Sequence, residues 1–526
     1  MNRTKLNSIK ELYEAFIAEI PDNKGVICFH EKEYSRNEFS NLIDHYIRHL
    51  KALGIGPSMG VGYTLPNCPE VLALFFAICR LGAFAIPIFH MTPDQTKLNI
   101  LRQARAALVI SNSRLYASLA ETAAKEKTFL RFALIDQAEG IYSLAAPAPL
   151  EQNNEVSDLD PELPALMATS SGTTGIPKPV MMNQRNIAAV IKASIALAGD
   201  PKRYGNNGFS TVMAFPLSTA GVLVVSGVMM AGLRCVFSDD MSPLSFLEMI
   251  RHWKAESMSA PPSYFEAIIG LPHIDSFERS TIRNIMTGMD FFSPGLMERL
   301  RAKFPRLDSF GNGYGLIETS NVFMVGLLQG EELSGPTNNL RIAPDTGNMI
   351  SIRDNKGKEL EPGLEGELWV KGPSVIKGYL GNPEATAQAF CDGWFKTGDI
   401  AKQSAPDRVS LLGRNKYLIK RGGKSVSPIL VQNTINEVKG IIDSAVVGVP
   451  HNLYGQMVWA FVVSKESNQE SEKAIMKHCR KNLSNYMIPD HIIFIDKIPK
   501  NPGVGKVNYE ALIDQAKEEL RILQGE

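Results

Sequence analysis

Phe39, Leu42, Ile43, Tyr46, Ile47 and Leu50 recur every three or four positions, the spacing that puts side chains on one face of a helix. Ser35 and Glu38 form a capping box just ahead of them, and Gly54 is placed to stop the helix. The β-prone runs Ala107 to Ile110 and Phe132 to Ile135 lack that period and read as buried strands. Helical patterns alternating with short apolar strands predict an α/β fold with largely parallel sheets in the first third. Glu151 to Pro164 is acidic and proline-containing and reads as a loop. From Asn348 to Val370 the pattern shifts to short strands with turns (ISIRDNKGKEL, GELWV), predicting a β-rich subdomain that closes the large domain. After Gly413 a smaller α+β unit is expected, with strands near Ala445 to Val449, Trp459 to Val463 and Ile492 to Ile495 and a helix near Glu472 to Leu483.

The apolar run Ala220 to Leu233 is short for a membrane span and contains three glycines. The N-terminus, MNRTKLNSIKELYEAF, lacks the apolar core of a signal peptide. Both point to a cytoplasmic protein without a transmembrane segment. At 526 residues the chain is too long for one ordinary core. Lys+Arg and Asp+Glu are both 55, so no broad basic surface for nucleic acid is expected. The six cysteines form no C-x-x-C pair and no zinc spacing, and read as buried free thiols in a reducing compartment.

Chemistry concentrates first in TSSGTTGIPKPV, Thr169 to Val180. Gly172 and Gly175 allow close approach of backbone N–H groups to an anion. Ser170, Ser171, Thr173 and Thr174 add hydroxyls, and Lys178 adds a cation. Apolar flanks, Leu163 to Met167 and Val180 to Met182, predict strands on both sides, so the loop is pinned rather than a tether. It is not a Walker A loop: GGKS at Gly422 to Ser425 has the right ending, but Leu418 stands where the first glycine belongs. GVGKV at Gly503 to Val507 fails likewise, and no G-x-G-x-x-G follows a clear strand.

Four further stretches follow in order: GYGLIETS (Gly313 to Ser320), GWFKTGD (Gly393 to Asp399), GRNKYLIKRGG (Gly413 to Gly423) and NPGVGKVN (Asn501 to Asn508). With the phosphate loop, this series resembles the adenylate-forming superfamily of acyl- and aryl-CoA synthetases, peptide-synthetase adenylation domains and beetle luciferases. LPNCPE, KGYLGNPEAT and YMIP extend the resemblance over nearly the whole chain.

The resemblance implies a large N-terminal domain (1–413) of two α/β sheet subdomains plus a β-rich subdomain, a hinge (414–417) and a small mobile α+β domain (418–526). It implies that Thr169 to Gly175 and Lys178 hold the β- and γ-phosphates of ATP. Tyr314, between Gly313 and Gly315, would stack on adenine near Asp290. Glu318 and Thr174 would hold Mg²⁺, a hard cation that prefers oxygen. Asp399 would take the ribose hydroxyls, assisted by Arg414. Lys506 would be the catalytic lysine, neutralising charge as a carboxylate meets the α-phosphate. Lys416 would be the pivot that alternately presents Lys506 and the Gly422–Gly423 turn. Thr219, Gly288, Met289, Gly315 and Ile317 would lie about the acid.

The chain departs from the family pattern at several positions. Pro179 replaces a glycine, Ile317 a threonine, Thr219 and Gln184 histidines, and Tyr417 an aspartate. The usual glycine-glycine-alanine-proline loop reads Gly288-Met289-Asp290-Phe291, and Thr319 would replace the hydroxyl lost at Ile317 only if the backbone differs. The retained Lys506, Glu318, Asp399 and Lys178 imply an active enzyme. VMAFPLSTAGVLVVSG has no carboxylate for an α-ammonium, and a buried unpaired ammonium is costly. An aryl or aliphatic acid is therefore expected. Leu223, Val224, Val225, Met229 and Met230 either line its pocket or belong to the core.

The expected activity is ATP-dependent formation of an acyl-adenylate and transfer to coenzyme A, with Lys420, Arg421 and Lys424 as candidates for its 3′-phosphate. The alternatives are transfer to the phosphopantetheine of a separate carrier protein, or a weakened nucleotide- or acyl-binding relative. A γ-phosphate transferase lacks its Asp/Asn loop. The resemblance leaves a homodimer open.

Overall fold

The computed structural model describes residues 5–138, 141–144, 159–170, 178–198, 210–289, 292, 294–334, 337–466, 468–500 and 507–524. The expected N-terminal helix runs Arg36–Ala52, with the Ser35–Glu38 capping box formed and Gly54 at φ 74° beyond its end. Only a residue tolerant of left-handed backbone stops the helix there without strain. A second capping box, Ser8 with Glu11, starts the Ile9–Glu19 helix.

A seven-stranded sheet has a parallel centre, with Gly60–Thr64 flanked by Phe84–Pro87 and Leu108–Ser111. One edge of it is the antiparallel hairpin of Pro164–Ser170 and Lys178–Asn183. The second sheet has fourteen strands. Six of them, including Asn284–Gly288 and Ser309–Leu316, form a parallel run. The β-rich subdomain expected to close the large domain continues that sheet. Asn321–Gln329 turns back on Ser309–Leu316, and Asn339–Ile342 then pairs with Arg408–Arg414. The expected strands Met349–Arg353 and Glu365–Lys371 lie at this end.

The largest core lies between the two sheets and takes in the helices Pro69–Arg80, Gln184–Ala198 and Thr219–Met230. The apolar run after Ala220 is thus a core helix. It is hydrophobic on all sides because it is covered on all sides. Leu223, Val225, Met229 and Met230 are buried in this core, and Val224 packs partly buried against it. Among the described residues no helix is long and apolar enough to cross a membrane. Five cysteines are buried as expected, whereas Cys391 is exposed.

The third sheet is small, built from Ile419–Arg421, Lys424–Val426, Ile441–His451, Gly455–Ser464 and His491–Phe494. The Gln469–Asn482 helix covers it. The unit abuts the rest of the protein where Arg299 donates to the Ile442 carbonyl at 2.8 Å and also pairs with Glu266. Asp443 lies beside this contact, and burial pushes its carboxyl up to about 6.

Candidate active site

The expected phosphate loop is carried by the hairpin. Thr169 pairs with Pro179 and Ser170 with Lys178 at the ends of the two strands. Residues 171–177, with Ser171, Gly172, Thr173, Thr174 and Gly175, lie outside the described residues, as do Asp290 and Lys506. Lys178 is half-buried, with its ammonium 4.9 Å from the centre of the Tyr379 ring.

Tyr314 lies in the Ser309–Leu316 strand between Gly313 and Gly315, with Gly288 opposite Gly313 on the neighbouring strand. A Cβ on Gly315 would overlap the Asn321 backbone, and one on Gly288 would come within 2.7 Å of the Gly313 carbonyl. At these two points the backbones lie closer than a side chain permits. The ring packs against Phe323 at 5.5 Å, and its hydroxyl donates to Asp399 at 2.5 Å. Burial and the Asp399 carboxylate push the Tyr314 hydroxyl far above its ordinary value, so it stays a donor. Asp399 also pairs with Arg414 Nε at 3.0 Å, and the Arg414 guanidinium donates to the Thr397 carbonyl at 3.1 Å. Asp399 and Arg414 face each other across two antiparallel strands. The Asp399 side chain in this ion pair is only 9% exposed.

Glu318 lies one turn beyond Tyr314, in the short helix Ile317–Thr319. Its Oε1 accepts the Tyr379 hydroxyl at 2.7 Å. Its Oε2 has no hydrogen-bond partner among the described residues. Ile317 packs on the main core. Thr319 does not replace the hydroxyl missing at Ile317. It is buried and bonded to the Leu316 and Asn321 backbone. Gln184 opens a helix rather than extending the strand before it. It is fully buried, accepting from Ile9 N–H at 3.2 Å and donating to the Cys79 carbonyl at 3.0 Å.

The remaining expected residues are spread more widely. Met289 follows Gly288 with φ 74° and is exposed, a strained backbone for a side chain of its size. Thr219 is half-buried at the start of its helix. Lys416 lies in the short helix Asn415–Tyr417 with its ammonium 4.5 Å from the Tyr417 ring, which stacks on Tyr509. Gly422 and Gly423 form an open turn of the small sheet, at φ 55° and 77°. Arg421 is held by Asp490 and two backbone carbonyls, Lys420 by Ser425, and Lys424 over the Tyr486 ring. The structure therefore brings together one trio, Tyr314–Asp399–Arg414, and a second, Lys178–Tyr379–Glu318. Tyr379 was not singled out from the sequence, and its only signal was its place in the KGYLGNPEAT stretch.

Residues 14–380 match the AMP-binding enzyme family model, and residues 430–504 match that of the AMP-binding enzyme C-terminal domain. The chain belongs to the AMP-binding enzymes. Among this enzyme's relatives is a probable CoA ligase of Humulus lupulus, 27% identical over 93% of either chain. An oxalate–CoA ligase of Arabidopsis thaliana is also 27% identical, over 95% of this chain and 97% of its own. Among solved structures, an amide bond synthetase from Marinactinospora thermotolerans shares the fold. Its TM-score is 0.81 at 22% identity, covering 97% of this enzyme and all of that chain.

Proposed function

We propose that this enzyme joins a carboxylic acid to ATP, forming an acyl-adenylate and pyrophosphate, and then passes the acyl group to the thiol of coenzyme A. The observation that carries the reading is that the two trios are joined through one short segment, Tyr314 belonging to the first and Glu318 to the second. Tyr314 presents a ring and holds the Asp399 carboxylate, and four residues later Glu318 shares Tyr379 with Lys178. That is the polarity of a nucleoside triphosphate, base and sugar at one end and phosphates at the other. The names of the CoA-ligase relatives favour coenzyme A as acceptor.

In the first half-reaction a carboxylate oxygen attacks the α-phosphorus, the bond to the β-phosphate breaks and pyrophosphate leaves. Tyr314 and Asp399 hold the nucleoside, Arg414 holds Asp399, and Lys178 with residues 169–175 holds the departing phosphates. Lys506 offsets the charge of the two approaching anions. In the second, the thiol sulfur attacks the acyl carbon and AMP leaves. Lys416 is the pivot that brings up the Gly422–Gly423 turn, and the domains run 1–413 and 418–526.

A single carboxylate with one oxygen open suits Mg²⁺, which keeps waters and phosphate oxygens as ligands rather than entering an all-protein cage. Among the described residues no cluster of three acidic, histidine or cysteine side chains competes for a metal. Glu318 would hold the ion together with Thr174. Bound there, the metal supplies charge screening for the phosphates. The unpaired cysteines support a cytoplasmic location.

ATP–pyrophosphate exchange with pooled aromatic, medium-chain and long-chain acids, without coenzyme A, tests the reading. Exchange is expected in one pool, with release of AMP once coenzyme A is added. No exchange in any pool, with ATP binding confirmed, would overturn it. Lys506→Ala is expected to abolish exchange while sparing transfer from preformed acyl-adenylate.

A further inference from the structure

Tyr379 touches both charged groups at the phosphate end, although they come from distant parts of the chain. Its own placement is built in. The Tyr379 N–H donates to Thr386 Oγ1 at 2.9 Å, and that hydroxyl is bound to the Asn382 carbonyl at 2.8 Å. The backbone around it is fastened on two sides. Ile376 N–H donates to the Glu318 carbonyl and Leu380 N–H to the Pro179 carbonyl, each at 3.0 Å. Tyr379 also forms a bridge with Val180. The segment thus ties the turn carrying Glu318 to the hairpin strand carrying Lys178.

The side chain then takes a different charge on each of its parts. Lys178 lies against the ring face, where the quadrupole attracts a cation. Glu318 receives the hydroxyl proton, and a hydrogen bond to an ionised carboxylate is among the stronger kinds. Lys178 and Glu318 make no ion pair with each other. Two opposite charges on flexible stems beside one ring would ordinarily collapse together, and each would then be lost to an incoming ligand. The tyrosine gives each a partner, and the second carboxylate oxygen of Glu318 keeps no hydrogen bond among the described residues.

We propose that Tyr379 is a positioning residue that keeps Lys178 and Glu318 apart, so that the ammonium remains available to phosphate and the carboxylate to its metal. This rests on the ATP- and metal-binding roles proposed above.

The test is calorimetric titration of the full chain with ATP, with and without Mg²⁺, using wild type, Tyr379→Phe, Tyr379→Leu, Glu318→Gln and the double variant Tyr379→Leu/Glu318→Gln. Tyr379→Phe keeps the ring and is expected to cut the Mg²⁺-dependent gain in ATP affinity about tenfold, leaving Mg²⁺-free affinity unchanged. Tyr379→Leu is expected to weaken Mg²⁺-free binding as well, about fivefold, because Lys178 falls onto Glu318. Removing the carboxylate charge in the double variant should then restore Mg²⁺-free binding, a rescue that loss of packing alone does not give. The proposal is overturned if Tyr379→Phe matches wild type while Glu318→Gln loses the Mg²⁺ gain. It is equally overturned if the double variant stays as weak as Tyr379→Leu. If Glu318→Gln itself keeps the full Mg²⁺ gain, the metal role of Glu318 fails first and the proposal with it.

Discussion

The two trios solve the same problem by different means. At the ribose end, Asp399 and Arg414 are opposed residues of paired strands, and Tyr314 comes from the same continuous sheet. Their geometry is set by the backbone ladder, and the carboxylate is buried. At the phosphate end, Lys178 is at a hairpin strand's first residue and Glu318 is in a single helical turn. Their side chains meet at that of Tyr379, which comes from a third segment. A site that must grip a nucleoside and release pyrophosphate has reason for this asymmetry, with a rigid grip on the part retained through both steps and a looser one on the part that leaves.

The asymmetry breaks most visibly at Asp399. Asp399→Ala leaves the Tyr314 hydroxyl and Arg414 without their shared acceptor, so folding stability should fall by about 1–3 kcal/mol. ATP–pyrophosphate exchange should fall about a hundredfold or more alongside it; unchanged thermal stability would mean the ladder, not the carboxylate, holds this end. Lys178→Ala is the contrasting case. Exchange should drop about tenfold to a hundredfold with stability within about 0.5 kcal/mol of wild type, since a half-exposed cation–π contact contributes little. A large loss of stability there would erase the distinction.

Two controls lie away from both trios. Gln184→Leu removes a buried amide and strands the Ile9 N–H and the Cys79 carbonyl, costing about 1–3 kcal/mol. Its turnover at saturating substrate should be unchanged in a steady-state assay. At Asp443 the expected effect is a pH dependence of stability. Its folded-state pKa is raised from 3.8 to about 6, so the protonated form is favoured by folding. That contribution is full below the unfolded value and is lost as pH rises through the window between the two values. Melting temperatures measured from pH 4 to 7 should diverge between wild type and Asp443→Asn across this window. The wild type should be the one losing stability, with no further divergence above it.

Local signals read true in this chain. Capping at Ser35, the stop at Gly54 and the strands flanking the phosphate loop each depend on residues within one element. What stayed hidden depends on distant partners. Pairing of Leu340 with Val409 makes the β-rich region an extension of the parallel sheet, and no periodicity reports it. Gln184 is written in the sequence only as a substitution, because the groups it satisfies, Ile9 and Cys79, belong to other helices. Tyr379 was legible as part of a motif but not as a link, since its hydroxyl reaches 61 residues back along the chain. The buried methionines of the Thr219–Met230 helix show the converse limit, that an apolar run reads alike whether it lines a pocket or fills a core.

The pairing of Asp399 with Arg414 is the last rung of its ladder, and the chain leaves the sheet at the next residue. A zip opens from its end. Any tug on the segment leading to the small sheet reaches the nucleoside grip before it reaches anything else, without crossing the core. A bound nucleoside would pin that final tooth, and deuterium uptake at the Arg414 and Asn415 amides would record how firmly.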